Sequence, residues 1–395
     1  MVGAVAVDCH RGGYVGVMGT TLFRVDIPQA DLDDLHERLR RTRWPEKEPV
    51  TDGSQGVQLA WLQDICKYWQ ENYDWRSFEA RLNQFPQFRH TVDGLGIHFI
   101  HARSPEPNAR PLIMTHGWPG SIVEFLKVIG PLSDPVAYGG DANDAFHVVV
   151  PSLPGYAFSD KPTETGWNIE HIARAWATLM TDLGYDQYLA QGGDWGSGIT
   201  ASIGEQDPEH CTAIHVNIPA CLPNEEQMAN PTPEELVTLG KMAEHQRWGT
   251  GYSQEQMTRP QTIGYSLVDS PAGQAAWVLE KFWAWTDCDG HAENALTRDE
   301  LLDNLSLYWL TATGASSARL YWESMAEWGT GGPVTVPTGV TNFPKEVVSV
   351  PRRWAENRFT DIRFWHDVPK GGHFGSFEQP DIFIDELRTF FRQFR

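Results

Sequence analysis

Basic charge is scarce in this chain of 395 residues: Lys and Arg number 31 against 52 Asp and Glu, a formal net charge of −21. Nucleic acid and anionic membranes both call for a basic face, so neither is an expected partner. Cysteine is scarce too. Cys9, Cys66, Cys211, Cys221 and Cys288 form no CxxC pair and are odd in number. They read as reduced thiols of a cytoplasmic protein, not as a disulfide framework. No apolar run reaches the ~18 residues of a membrane span, so no membrane anchor is expected. Residues 1–20 lack the basic start and clean cleavage site of a signal peptide and read as a loose extension. There is no HExxH zinc motif, P-loop or dinucleotide fingerprint, so neither a metal nor any other cofactor is expected.

Aromatic residues, by contrast, are abundant, with 17 tryptophans in a chain that is 41% hydrophobic. Many must fill a core, and the surplus suggests a site that grips apolar material. Residues 21–90 read as a helical segment without a strand pattern. A helix over Asp31–Arg43 carries Leu32, Leu35 and Leu39 on one face, and a second carries Trp61, Ile65, Tyr68 and Trp69. From about Thr91 strands alternate with helices: Leu95–His101, Pro111–His116, His147–Pro151, Tyr188–Ala190 and Ala213–Ile218. That rhythm predicts a mostly parallel sheet with helices on both faces. It breaks over residues 222–332, a helical insertion holding Trp248, Trp277, Trp283, Trp285, Trp309, Trp322 and Trp328. It resumes over residues 333–395, with strands at Pro333–Thr341 and Ile362–Trp365 and a last helix over Phe377–Phe394. The expected architecture is one α/β core, residues 91–221 and 333–395, with an N-terminal helical segment and an inserted helical lid.

Gln191-Gly-Gly-Asp-Trp-Gly-Ser-Gly198 follows a strand and opens a helix. Gly192-x-Asp194-x-Gly196 has the form of a nucleophile elbow, in which the glycines let the backbone double back and the helix N-terminus favours negative charge. This is the signature of the α/β-hydrolase fold, where nucleophile, acid and histidine follow in that order. His373, in Lys370-Gly-Gly-His373, sits where the base is expected. Glu346 follows the strand Pro333–Thr341 and is the leading acid; Asp361 and Asp367 compete with it. His116-Gly-Trp-Pro-Gly-Ser121 follows an early strand, so the N–H groups of Trp118 and Trp195 are the expected oxyanion hole.

The aspartate restricts the chemistry. A serine attacking an alkyl carbon would leave an ether that water does not readily cleave. An aspartate leaves an ester, so the motif points to displacement at an sp³ carbon in two covalent steps. Epoxides and haloalkanes are the natural electrophiles. An epoxide oxygen needs a proton, and lid tyrosines could supply it: Tyr321 in Ser316-Ser-Ala-Arg-Leu-Tyr321 and Tyr252 in Gly249-Thr-Gly-Tyr252, with Tyr265 a competitor for the second.

From Leu22 to the C-terminus the chain resembles the microsomal-type epoxide hydrolases, including the juvenile hormone epoxide hydrolases and bacterial relatives. Arg43-Trp-Pro45, Tyr73-Asp-Trp75 and Phe85-Pro86 are similar to the family's N-terminal part. His116-Gly-Trp-Pro-Gly120, Gly193-Asp-Trp-Gly196, Phe343-Pro-Lys-Glu346 and Gly371-Gly-His-Phe374 match its core motifs in order. The resemblance implies Asp194 as nucleophile, Glu346 as acid, His373 as base, and Tyr321 and Tyr252 as ring-opening phenols. It implies a cofactor-independent enzyme turning a small apolar epoxide into a vicinal diol, and by analogy with some bacterial relatives a place in natural-product biosynthesis, enediynes included. A haloalkane dehalogenase with the same nucleophile is the first alternative, and a catalytically idle binding module the second. The sequence leaves the oligomeric state open, a homodimer among the choices.

Overall fold

The computed structural model describes residues 19–395. Of the extension expected over residues 1–20, only Gly19 and Thr20 fall among them, and Cys9 lies outside. Among the described residues nine strands form one sheet: β1 (Thr20–Phe23), β2 (Gln87–Val92), β3 (Leu95–Ala102), β4 (Arg110–Thr115), β5 (Phe146–Pro151), β6 (Tyr188–Gly192), β7 (Cys211–Val216), β8 (Thr338–Asn342) and β9 (Ile362–Asp367). Their order is β1-β2-β3-β5-β4-β6-β7-β8-β9. The pairings from β1 through β3 to β5 are antiparallel, and all the others are parallel. The middle of the sheet is buried on both sides: Leu112, Ile113 and Met114 of β4 and all of β6 are shielded, as a sheet covered by helices requires.

The helices are α1 (Gln29–Arg40), α2 (Leu59–Glu71), α3 (Trp75–Leu82), α4 (Leu126–Ser133), α5 (Ile169–Asp182), α6 (Trp195–Gln206), α7 (Glu225–Ala229), α8 (Pro233–Trp248), α9 (Gly251–Thr258), α10 (Pro260–Asp269), α11 (Pro271–Trp285), α12 (Arg298–Leu310), α13 (Gly314–Ser324), α14 (Arg352–Ala355), α15 (Gly375–Glu378) and α16 (Pro380–Phe391). The crossover from β4 to β5 runs one way across the sheet, and those from β5 to β6 and from β6 to β7 run the other way. Right-handed crossovers therefore set α4 on one face and α5 with α6 on the opposite face. Packing agrees: α5 lies against α6, and α4 against α16. Helices α7 to α13 fill the chain between β7 and β8.

The N-terminal segment departs from expectation, since it contributes two strands. β1 is a short edge strand whose Leu22 is 82% exposed, so it has no apolar stripe to announce it. β2 buries Gln87 and His90 alongside Phe88 and Val92, and those polar residues mask its alternation. Two further boundaries shift. β8 starts only at Thr338, because Pro333 and Pro337 cannot donate to a ladder, and Val334 forms an isolated bridge to Phe359. The last helix is broken before Pro380, which opens α16.

The aromatic stripe of α2 finds its partner in the inserted helices. Trp61 Nε1–H donates to Glu293 Oε1 (3.0 Å), Tyr68 O–H to Asp299 Oδ1 (2.9 Å) and Trp69 Nε1–H to Ser306 Oγ (2.8 Å). Beyond α2, Tyr73 O–H and Arg81 converge on the buried Asp303 of α12 (2.8 and 2.6 Å). Burial pushes the Asp303 carboxyl up to about 6, against the pull of Arg81 and Tyr73.

Candidate active site

β6 delivers the chain to Gly193 and Asp194, and α6 leads it away. Asp194 has φ 50° and ψ −130°, a conformation that costs a non-glycine residue about 1–3 kcal/mol. The surroundings hold it there. Ser197 N–H donates to Asp194 O (2.8 Å), and Ser197 Oγ–H to Gly192 O (2.8 Å). A Cβ at Gly192 would overlap Gly196 O, and one at Gly196 would overlap Thr115 O, so the turn admits only glycine at both places.

The loop after β4 closes over the carboxylate. Trp118 N–H donates to Asp194 Oδ1 (2.8 Å), and a Cβ at Gly117 would collide with the same carboxylate. His116 fixes this loop. Its Nδ1–H donates to Gly117 O (2.9 Å) and its Nε2 accepts from Leu153 N–H (3.2 Å), the bonding of a neutral ring. Burial keeps it neutral, lowering its pKa to about 4. Trp195 opens α6, so its backbone N–H belongs to the first helical turn, whose donors have no partner within the helix.

His373 stands between two carboxylates. Its Nδ1–H donates to Glu346 Oε1 (2.7 Å), and its Nε2 lies 3.2 Å from Asp194 Oδ2. Burial disfavours the charged ring, but Glu346 and Asp194 outweigh it and hold the imidazole well above its ordinary value. Glu346 Oε1 also accepts from Val347 N–H (2.7 Å), which fixes the carboxylate. Lys345 N–H donates to Gly371 O (3.1 Å), joining the loop of Glu346 to that of His373. The competing acids are engaged elsewhere: Asp361 pairs with Arg363 (2.7 Å), and Asp367 Oδ1 accepts from Asn342 Nδ2–H (2.8 Å).

The inserted helices supply the roof. Tyr252 of α9 stacks on the Trp118 indole, with centroids 5.1 Å apart and planes 7° apart. Tyr321 of α13 meets Trp195, Trp118 and Tyr252 edge-on, at 4.7, 5.7 and 5.7 Å. Burial raises both phenols above their ordinary range, with Asp194 adding to the effect, so both are protonated at neutral pH. Tyr265 lies on α10 with 68% of its surface exposed, away from this cluster.

Three residues join the site that motif reading did not assign. Trp285, at the end of α11, packs edge-on against His373 (5.0 Å) and Tyr252 (5.2 Å), and its carbonyl accepts from His373 N–H (2.8 Å). Glu124 packs against Gly120, and burial, reinforced by Asp194 and opposed by His373, pushes its carboxyl up to about 8. A lone acid within Ile122-Val-Glu-Phe125 is the signal that could have found it. Glu378 accepts from the N–H groups of Asp287 (2.7 Å), Gly372 (3.0 Å) and Phe374 (2.9 Å). Among the described residues no acid, His and Cys cluster is placed to hold a metal, and no helix is long and apolar enough to cross a membrane.

The geometry thus offers a carboxylate pinned by a backbone N–H, an imidazole–carboxylate pair beside it, and two protonated phenols above. Comparison with known proteins agrees with it. Residues 20–125 match the family described as "Epoxide hydrolase N terminus", and residues 110–267 match "alpha/beta hydrolase fold". "Putative epoxide hydrolase" of Stigmatella aurantiaca is 53% identical, covering 95% of this chain and 86% of that one. "Epoxide hydrolase 1" of Sus scrofa is 35% identical over 93% of this chain and 87% of its own. The crystal structure of juvenile hormone epoxide hydrolase from the silkworm Bombyx mori superposes with a TM-score of 0.87, at 30% identity and 95% coverage of each chain. Fold, site and relatives together place this chain in the epoxide hydrolase family, as an enzyme that hydrolyses epoxides.

Proposed function

We propose that the enzyme converts an apolar or aromatic epoxide to a vicinal diol through a covalent ester on Asp194. The observation that carries this reading is the placing of Asp194: one oxygen accepts from Trp118 N–H and the other faces His373 Nε2, under two protonated phenols. Asp194 attacks an epoxide carbon, the ring C–O bond breaks, and the ring oxygen takes a proton from the tyrosine pair. Water then attacks the carbonyl carbon of the ester, with His373 as base, Glu346 holding the ring, and Trp118 and Trp195 N–H groups receiving the oxyanion. In this reading residues 222–332 act as the lid, and their aromatic rings form the apolar wall that selects the substrate.

The charge pattern explains how one imidazole serves the second step. In the resting enzyme Glu346 and Asp194 both favour the protonated ring. Ester formation deletes the Asp194 charge, so His373 becomes more acidic at the moment a base is required. The proton it sheds restores the phenol, and hydrolysis of the ester returns a proton to it.

A second reading, dehalogenation of a haloalkane, has one observation on its side. Trp195 Nε1–H is buried without a hydrogen-bond partner and could receive a halide. The two phenols argue for the epoxide, because a departing halide needs no proton. One experiment tests the covalent step of the epoxide reading. His373→Gln enzyme incubated with an epoxide should accumulate a mass increase equal to that epoxide on the Asp194 peptide. Unmodified protein together with continued diol formation would mean that water attacks the epoxide directly.

A further inference from the structure

Lys281 is a lysine that motif reading leaves without a role. It sits on α11 with 4% of its surface exposed. Its Nζ lies 4.3 Å from the centroid of the Tyr252 ring and 5.6 Å from that of Trp285. Tyr252 is also stacked on the Trp118 indole. Its neighbour Glu280 contacts Nζ and is the anion that accompanies it into the lid. An ammonium group is costly to bury, and packing alone would be met by an apolar side chain.

We infer that Lys281 makes Tyr252, rather than Tyr321, the phenol that gives its proton to the opening ring. The inference rests on the epoxide-opening reading above. When Tyr252 loses its proton, negative charge spreads from the oxygen into the ring, directly beneath the ammonium. A cation at a ring face inside a water-poor lid stabilises that charge more than it stabilises the neutral phenol. Tyr321 meets indole and phenol edges instead. Burial and the Asp194 charge oppose ionisation of Tyr252, and Glu280 and Glu346 do so more weakly. Burial and the Asp194 charge oppose ionisation of Tyr321 as well. The ammonium at its ring is what sets Tyr252 apart from Tyr321.

The step balances. The Asp194 oxygen forms a bond to the ring carbon, and the ring C–O bond breaks with its electron pair going to oxygen. Oxygen takes the Tyr252 proton, and the phenolate is reprotonated by the proton that His373 sheds once Asp194 is esterified. Lys281 touches none of the reacting atoms. It is a positioning residue that acts through Tyr252.

The test uses single turnovers of the full-length enzyme with styrene oxide, following ester formation and ester hydrolysis separately by quenched-flow mass spectrometry. Lys281→Met should slow ester formation by roughly tenfold, the scale of a desolvated cation–ring contact, and leave hydrolysis unchanged. Lys281→Arg should restore most of the rate. The slowing should persist in a Tyr321→Phe background and vanish in a Tyr252→Phe background. Where Met destabilises the lid, Lys281→Gln carries the same comparison. Equal slowing in both backgrounds, equal loss in both steps, or no rescue by Arg would overturn the inference. Unchanged ester formation in Tyr252→Phe itself would instead overturn the assignment of Tyr252, and with it this inference.

Discussion

The floor and the roof of the site are made differently. The floor is backbone. A strained Asp194, a Trp118 N–H and glycines that no side chain could replace fix the carboxylate from two short loops. The roof is rings. Tyr252 and Tyr321 are held by Trp118, Trp195 and Trp285, contributed from elements far apart in sequence. Backbone geometry is set by local sequence, whereas ring packing depends on how α9, α11 and α13 come together. The floor should therefore fail abruptly on substitution, and the roof by degrees.

The sharpest way to break the comparison is at Asp194. Asp194→Asn keeps the shape and removes the attacking charge, so steady-state diol formation should fall by at least ~10⁴-fold. Activity within tenfold of the parent would contradict a floor that acts as nucleophile. Next is the roof: Tyr252→Phe should slow ester formation by roughly 10²-fold and Tyr321→Phe by less, each softened by the remaining phenol, and the double variant should be nearly dead yet folded by circular dichroism. Two single variants as inert as Asp194→Asn would show that the roof is as brittle as the floor. Glu346→Gln should slow ester hydrolysis by about 10²-fold while sparing ester formation, because attack by Asp194 needs no base. The same defect in Asp367→Asn, with Glu346→Gln normal, would transfer the role. The smallest effect concerns support of the roof. Ser306→Ala leaves the buried Trp69 indole N–H unpaired and should lower stability by about 1–3 kcal/mol in a denaturant titration, with the chemical steps unaltered.

The same division explains what could be read from the sequence. Gly192-x-Asp194-x-Gly196 and His116-Gly-Trp-Pro-Gly120 are each contiguous motifs, and their glycines answer to atoms in or beside these same two loops. Strands β3 to β7 were legible because runs such as Leu112–Met114 are apolar on both faces. β1 and β2 were not, because an exposed Leu22 and buried Gln87 and His90 scramble the alternation. Choosing between Tyr252 and Tyr265 was beyond the sequence, since both lie on short helices and only packing shows which is enclosed. Lys281 and Trp285 are four apart on α11 and share a face, but that this face meets Tyr252 follows only from the tertiary arrangement.

Glu378 gathers three backbone N–H groups, one from Asp287 just beyond α11 and two from the loop around His373. For anyone recombining this enzyme with a relative, that carboxylate is a seam that must not be cut. Asp287 returns the favour by accepting from Gly371 N–H (3.0 Å), so the two segments are sewn together twice. A chimera that takes the inserted helices from another parent should keep the stretch from Trp285 to Asp287 and the stretch from Gly371 to Glu378 from one source. A crossover placed between them would put a foreign partner against the imidazole itself, and its ester hydrolysis would slow even where its new roof is sound.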